Sequence, residues 1–161
     1  MTSPVTIRDF EDRDREQVIA IARMLQAHES QYFDRLKPVT DIGDDYLTQL
    51  HADVAEHQGR FLVAVIDGSV AGYATLNTRC NSKEVTEEIY YEYAHIGDLS
   101  VHDNHRRRGV GEMLIAACEA EARKAGMKWL RLAVLAENGM ARNFYCKSGF
   151  EDMLIRLEKA L

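Results

Sequence analysis

Cysteine is scarce in this chain. Cys80, Cys118 and Cys146 are odd in number, far apart and without metal-ligand spacing. That excludes a disulfide framework and leads us to expect free thiols in a reducing, cytoplasmic compartment, with no metal site. Long apolar runs are also missing: none approaches the roughly 20 residues a membrane helix needs. The start, MTSPVTIRDF, lacks the charged and apolar regions of a secretory leader, so no membrane partner is expected. Net positive charge is absent too, and a formal charge of −6 argues against a general nucleic-acid surface. Repeats, low-complexity tracts and linkers are lacking, which leaves one domain over residues 1–161. What is present is enough apolar residue, 46%, for a sizeable core.

The most informative stretch runs from Ile96 to Gly111, IGDLSVHDNHRRRGVG. An apolar strand ends at Val101, a polar turn follows, three arginines arrive at Arg106, Arg107 and Arg108, and Gly109, Val110 and Gly111 open a helical pattern. The first turn of a helix has N–H groups without intrahelical partners and carries the positive end of the dipole, so it suits an anion. Glycine permits unusual dihedrals and puts no side chain between backbone and a bound oxygen. Arginine adds charge and forked donors. A basic turn that merely starts a helix is the alternative.

Along the chain, Val5–Arg8 reads as a short strand. Val18, Ile21, Ala22 and Leu25 recur at helical spacing over Arg15–Ala27, and Tyr46, Leu47, Leu50 and Val54 do so over Asp41–Glu56. Phe61–Ile66, the Asp67-Gly68 turn and Val70–Leu76 form a hairpin, with Asn77–Glu87 a polar connection. Ile89–Val101 is a long strand, and Gly97 inside it marks a bulge or a close backbone approach. Glu112–Ala125 is a helix ended by Gly126, Met127–Leu135 a strand, Met140–Lys147 a short helix and Phe150–Glu158 the closing strand. Strand, helix, strand after the arginine loop makes two parallel neighbours.

The loop Arg106 to Gly111 resembles the phosphate-binding motif of the GNAT family of N-acetyltransferases. A second segment, Ala141-Arg142-Asn143-Phe144-Tyr145 followed by Gly149-Phe150, is similar to that family's helical tyrosine and Gly-Phe, and the whole element order agrees. The resemblance implies an α/β fold, a single domain with a central mixed, mostly antiparallel sheet, splayed between the fourth and fifth strands and flanked by helices. It implies acetyl-CoA as acetyl donor, its pantetheine arm along Leu99, Ser100 and Val101, its pyrophosphate on Arg106, Arg107, Arg108, Gly109, Val110 and Gly111, and further contacts from Asn138 and Asn143. Tyr145 matches the residue that protonates the departing thiolate.

The implied reaction is acetyl transfer by direct attack in a ternary complex. A lysine-like amine, with a pKa of about 10.4, must first lose a proton, so a base or water chain is needed. Many family members carry glutamate where this chain has Gly97 or His95. Asp98 and His95 are the candidate bases, with Glu92 further off. His95 suits the role by its pKa near 6.5, and its alternative is a structural histidine. Asp98 would otherwise orient the bulge, and Tyr145 would otherwise be ordinary core. The backbone N–H of Leu99 is a candidate oxyanion donor. The expected acceptor is a primary amine on a small molecule or peptide. Carboxylates at Glu29, Asp34, Asp41, Asp44 and Asp45 favour a cationic one. A homodimer is compatible with this reading, and a non-catalytic acyl-CoA sensor of the same fold is the competing function.

Overall fold

Asp67 and Gly68 both sit in the left-handed region, at φ 49° and 78°, and turn β2 (Arg60–Ile66) into β3 (Ser69–Asn81). That backbone twist matches a tight hairpin. The computed structural model, which describes residues 3–161, adds β1 (Thr6–Asp9), β4 (Glu92–Val101) and β5 (Leu130–Arg131) to the pair. The sheet runs β1-β2-β3-β4-β5, antiparallel throughout except for the parallel contact of β4 with β5. Helices α1 (Arg15–Glu29) and α2 (Asp44–Glu56) cover one face, and α3 (Val110–Lys124) covers the other. A fourth helix, α4 (Gly139–Lys147), follows β5.

Period-two alternation in β2 feeds two cores. Leu62, Ala64 and Ile66 meet Val110, Leu114 and Cys118 of α3, while Phe61 and Val63 meet Val18 and Ile21 of α1 and Leu47 and Leu50 of α2. The near-continuous apolar run FLVAVI is therefore a strand covered on both faces. Complete burial also pushes the Cys118 thiol up to about 12, so it behaves as a small apolar side chain.

At the β1–α1 junction, Asp14 is 2% exposed and takes a forked pair of hydrogen bonds from Arg8 at 2.6 and 2.8 Å. It also accepts the Glu11 N–H at 2.8 Å, closing the turn before α1. Arg8 holds the carboxyl below its ordinary range despite burial.

Three expectations need correction. Residues Asn77 to Asn81 belong to β3 and not to a loop, because Asn77 pairs with His95 and Cys80 with Tyr93. The Met127–Leu135 strand shrinks to Leu130–Arg131 in ladder terms, since β4 and β5 diverge beyond the His95–Arg131 pair. Phe150–Glu158 forms no strand, because nothing in the same chain pairs with it among the described residues. Alternation reports how a segment would pair, but pairing needs a partner.

Candidate active site

The site is built around a bulge. Ala74 pairs with Leu99 and Leu76 with Ile96, so Gly97 and Asp98 stand opposite the single residue Thr75. Strict alternation from Ala94 and Ile96 would put Asp98 on the α3 face, inside the apolar core. The extra residue flips it toward α2 instead. There its carboxylate accepts the hydroxyls of Tyr46, on α2, and of Tyr73, on β3 at 2.8 Å. The Asp98 N–H donates to Thr75 Oγ1 at 2.9 Å. A Cβ on Gly97 would come within 2.9 Å of that same oxygen, so glycine is what lets the bulge close.

This carboxylate has neutral partners only. Burial raises its pKa from the ordinary value, and the two phenols counteract that in part. Both phenols are held protonated, first by burial and then by the Asp98 charge. Glu29, at the end of α1, is also raised, by burial and by the neighbouring Asp98 charge. Tyr145 on α4 is pushed up to about 12 by burial, with Glu29 and Asp98 adding to the effect. Its ring packs on Phe144 and Phe150, at 5.3 and 5.9 Å between centroids. The fold thus brings Tyr145 and Asp98 into one electrostatic neighbourhood and adds Glu29, Tyr46 and Tyr73.

His95, opposite Asn77 on β3, has a different electrostatic setting. Burial lowers its pKa, and Arg131 and His57 add to that, so the ring is neutral near pH 7. Neither Asp98 nor Tyr145 is among the charges it senses. Glu92, the more distant candidate, pairs with Arg79 at 3.1 Å.

Beside the bulge, β4 loses its second neighbour. After Ala94–Leu130 and His95–Arg131 no register continues, so the edge of β4 through Leu99, Ser100 and Val101 faces a gap where β5 has turned away. The chain then reaches the arginine loop. Arg106 donates to the Val101 carbonyl at 3.3 Å and pairs with Asp103 at 2.9 Å, whereas Arg107 and Arg108 are exposed. Arg107 and Gly109 are both left-handed, at φ 58° and 79°. The first helical bond runs from Met113 N–H to the Gly109 carbonyl at 3.1 Å, leaving the N–H groups of Val110, Gly111 and Glu112 without intrahelical acceptors. Gly111 has a different reason to be glycine: a Cβ there would lie 2.9 Å from Cζ of Phe144. Its place in the loop is set by α4 packing. Asn138 is 4% exposed and caps α4, its Oδ1 accepting the Ala141 N–H at 3.2 Å, while Asn143 is exposed.

On the α2 side of the bulge a cleft of about 250 Å³ is lined by Tyr46, Asp53, Thr75, Asn77, Gly97 and Asp98, among others. Asn77 Oδ1 is shut off from water without a hydrogen-bond partner. Its polar lining carries two carboxylates, the Tyr46 and Thr75 hydroxyls and the Gln49 and Asn77 side-chain amides. Among the described residues no group of three or more His, Cys, Asp or Glu is placed to hold a metal ion.

Sequence reasoning named Glu29 only within an acidic region favouring a cationic acceptor, and missed Tyr46 and Tyr73. Tyr73 carried a signal, since a tyrosine within the apolar run VAGYATL needs a buried partner for its hydroxyl.

The family model for the acetyltransferase (GNAT) family matches residues 21–150. Mycothiol acetyltransferase of Amycolatopsis mediterranei is 34% identical over 94 residues, covering 58% of this chain and 27% of that one. An N-alpha-acetyltransferase of Sulfurisphaera tokodaii is 28% identical over 104 residues, covering 62% and 61%. The chain thus spans less than two thirds of the length of these curated relatives. A solved protein of Bacillus halodurans superposes with a TM-score of 0.85 at 20% identity, over 97% of this chain and 99% of that one, which is a likeness of fold.

Proposed function

This chain belongs to the acetyltransferase (GNAT) family, and from that premise we propose that it moves an acetyl group from acetyl-CoA to a primary amine by direct attack in a ternary complex. The observation that carries the reading is the bulge at Gly97-Asp98, which sets a half-buried carboxylate beside the place where β4 and β5 part. The residues present suit the donor. Unpaired backbone along β4 matches the amides of a pantetheine arm, and the free N–H groups opening α3, with Arg106, Arg107 and Arg108 before them, match a diphosphate. Bound there, the coenzyme supplies an activated acyl carbon and a thiolate leaving group.

The chain's own groups do the rest. Asp98, with a raised pKa, takes a proton from the incoming ammonium, directly or through water. The Leu99 N–H is the donor assigned to the developing oxyanion. A new N–C bond forms as the C–S bond breaks, Tyr145, protonated up to about pH 12, gives its proton to the departing sulfur, and the surplus proton on the newly bonded nitrogen passes through water to restore the Tyr145 hydroxyl. The two carboxylates that line the cleft, Asp53 and Asp98, favour a cationic amine, on a small molecule or a peptide.

Gly97 in place of a family glutamate favoured the non-catalytic sensor. The packing of Gly97 against Thr75 gives that glycine a structural cause instead. The test is thiol release from acetyl-CoA over polyamines, aminoglycosides, amino acids and peptides. Turnover with at least one cationic amine is expected. Calorimetric binding of coenzyme A with no turnover anywhere would favour the sensor.

A further inference from the structure

The half-buried arginines of this chain are answered by carboxylates, with one exception. Arg8, Arg15, Arg60, Arg79, Arg106 and Arg142 each hold an aspartate or glutamate at 2.6–3.1 Å. Arg131, half-buried as well, has no carboxylate within ion-pair distance among the described residues, and its one side-chain hydrogen bond goes to the Tyr91 hydroxyl. Its charge is felt at Cys80 and His95, neither of them a carboxylate. None of its nitrogens that lack a partner is shut off from water. The side chain is held flat all the same, its guanidinium carbon 4.0 Å from the Tyr93 ring centroid and 5.1 Å from that of Tyr91. A cation stacked on two rings keeps its plane and aims its remaining forked donors in a fixed direction. Drawing a guanidinium partly out of water with no counter-charge costs free energy that ring contacts offset only in part, so the position is completed by an anion from outside.

Register places this arginine on the same side of the sheet as the cleft. Leu130 and Leu132 pack with the α3 core, so alternation turns Arg131 to the opposite face, the one that α1 and α2 cover. Ala94 and Ile96 do the same for His95, and Leu76 does so for Asn77, which lines the cleft. Arg131, His95 and Asn77 thus form one row across β5, β4 and β3. Asp98 follows His95 on β4 and is brought to this face by the bulge. Arg131 is one strand across and three residues back from Asp98, on the order of 10 Å between backbones. Its guanidinium leans over Tyr93, still further back along β4. Between the two charges stands His95, whose ring is neutral near pH 7 and suits an uncharged spacer.

We propose that Arg131 receives an oxyanion of the acceptor, so that the amine acetylated beside Asp98 belongs to a molecule with a carboxylate about three extended residues away. This rests on the acetyl-transfer reading above and narrows its acceptor to a zwitterion: the cleft holds the ammonium end and the stacked guanidinium holds the other. A free α-amino acid does not fit, since its amine and carboxylate share one carbon and cannot reach both groups. A polyamine does not fit either, because its second cation would meet Arg131. A short peptide and an ω-amino acid of matching length both carry the required pair of charges.

Matched acceptors that differ only in the far group test this. For the intact chain, kcat/KM for triglycine exceeds that for triglycine amide roughly tenfold or more, as a charge-assisted fork would give, whereas glycine has no such advantage over glycine amide. Arg131→Gln brings the triglycine ratio close to unity, chiefly through a higher KM for the acid, and Arg131→Lys keeps part of it. An ω-amino fatty acid of the same length, set against the corresponding alkylamine, tells an aliphatic acceptor from a peptide, the pair with the larger ratio naming the source. Calorimetry of the same pairs on protein saturated with coenzyme A reads the anchor without turnover. Carboxylate-dependent binding that Arg131→Gln abolishes, with no acetyl transfer, would sink the transfer reading and leave the anchor standing. Transfer to acid and amide alike, a preference that survives Arg131→Gln, or binding that is blind to the carboxylate overturns the proposal.

Discussion

Asp14 is a buried carboxylate and Asp98 a half-buried one, and their surroundings differ in kind. Asp14, at the β1–α1 junction, faces a guanidinium in a forked pair and a capping N–H. Asp98, at the β4 bulge, faces two neutral phenols, a hydroxyl below its own N–H, and a second carboxylate, Glu29. The first carboxyl is pulled below its ordinary pKa and the second is pushed above it. A buried charge given its full counter-charge is a fastener. A half-buried carboxylate left with neutral donors only is a group whose proton is easily exchanged, and such groups cluster where chemistry is done.

The largest separation between the two should appear on substitution by the isosteric amide. Asp98→Asn is expected to lower kcat roughly 10²–10⁴-fold, the range for losing a positioned base, with the melting temperature close to that of the parent. Asp14→Asn should do the reverse. It strands Arg8 and unties the turn, at a cost of roughly 2–4 kcal/mol in stability, with kcat held. Parallel thermal melts and thiol-release rates decide, and equal loss of activity in both variants would erase the distinction.

Tyr145→Phe comes next. The ring stays packed between Phe144 and Phe150 while the hydroxyl goes, so the expected result is a fall in kcat of about 10²-fold with little change in KM for the amine. The loss should shrink with acyl donors whose leaving thiol has a lower pKa, because such a thiolate needs less help. An undiminished loss across donors would make Tyr145 a packing residue.

The contrast also has a pH signature of opposite sign for the two groups. Asp14 has a depressed folded pKa, so its stabilisation is complete above the unfolded value of about 3.9 and is lost as pH falls through the folded one. Asp98 has a raised folded pKa, so its contribution is complete below about 3.9 and is lost as pH rises through the folded value. Asp14→Asn should therefore flatten the acid side of a plot of stability against pH. Asp98→Asn should flatten the stretch just above the ordinary carboxylate range. Chemical denaturation at a series of pH values reads both.

How far this was legible in the sequence follows the range of the interactions. The hairpin at Asp67-Gly68, the bulge at Gly97 and the helix opening at Gly109 are local, and their signals sit in adjacent residues. Which way Asp98 points is not local. It follows from the count of residues between Ile96 and Leu99 against the single Thr75 on another strand. Tyr46 read as one more apolar position of α2, and so it is, until its hydroxyl meets Asp98. Gly111 was assigned to ligand approach, and its visible constraint is the Phe144 ring from a helix some thirty residues later. The closing strand was expected from alternation alone, and among the described residues no strand forms there, since alternation does not supply a neighbour to pair with.

The smallest expected effect is the most discriminating one. Glu29 sits at the end of α1, raised by burial and by the Asp98 charge. The Asp98 shift has its own source in burial, so the two carboxylates can be told apart by removing one charge. Glu29→Gln removes one negative charge and leaves the shape. The rise of activity with pH should stay where it is, because burial and not Glu29 raises Asp98. Tyr145, pushed up to about 12 with the help of both carboxylates, should move down in the same variant. Less than a tenfold change in maximal kcat is expected, with the acid limb of the pH–rate profile unmoved and the alkaline limb displaced downward. An acid limb that moves in this variant would mean that Glu29, and not Asp98, is the group titrating in catalysis.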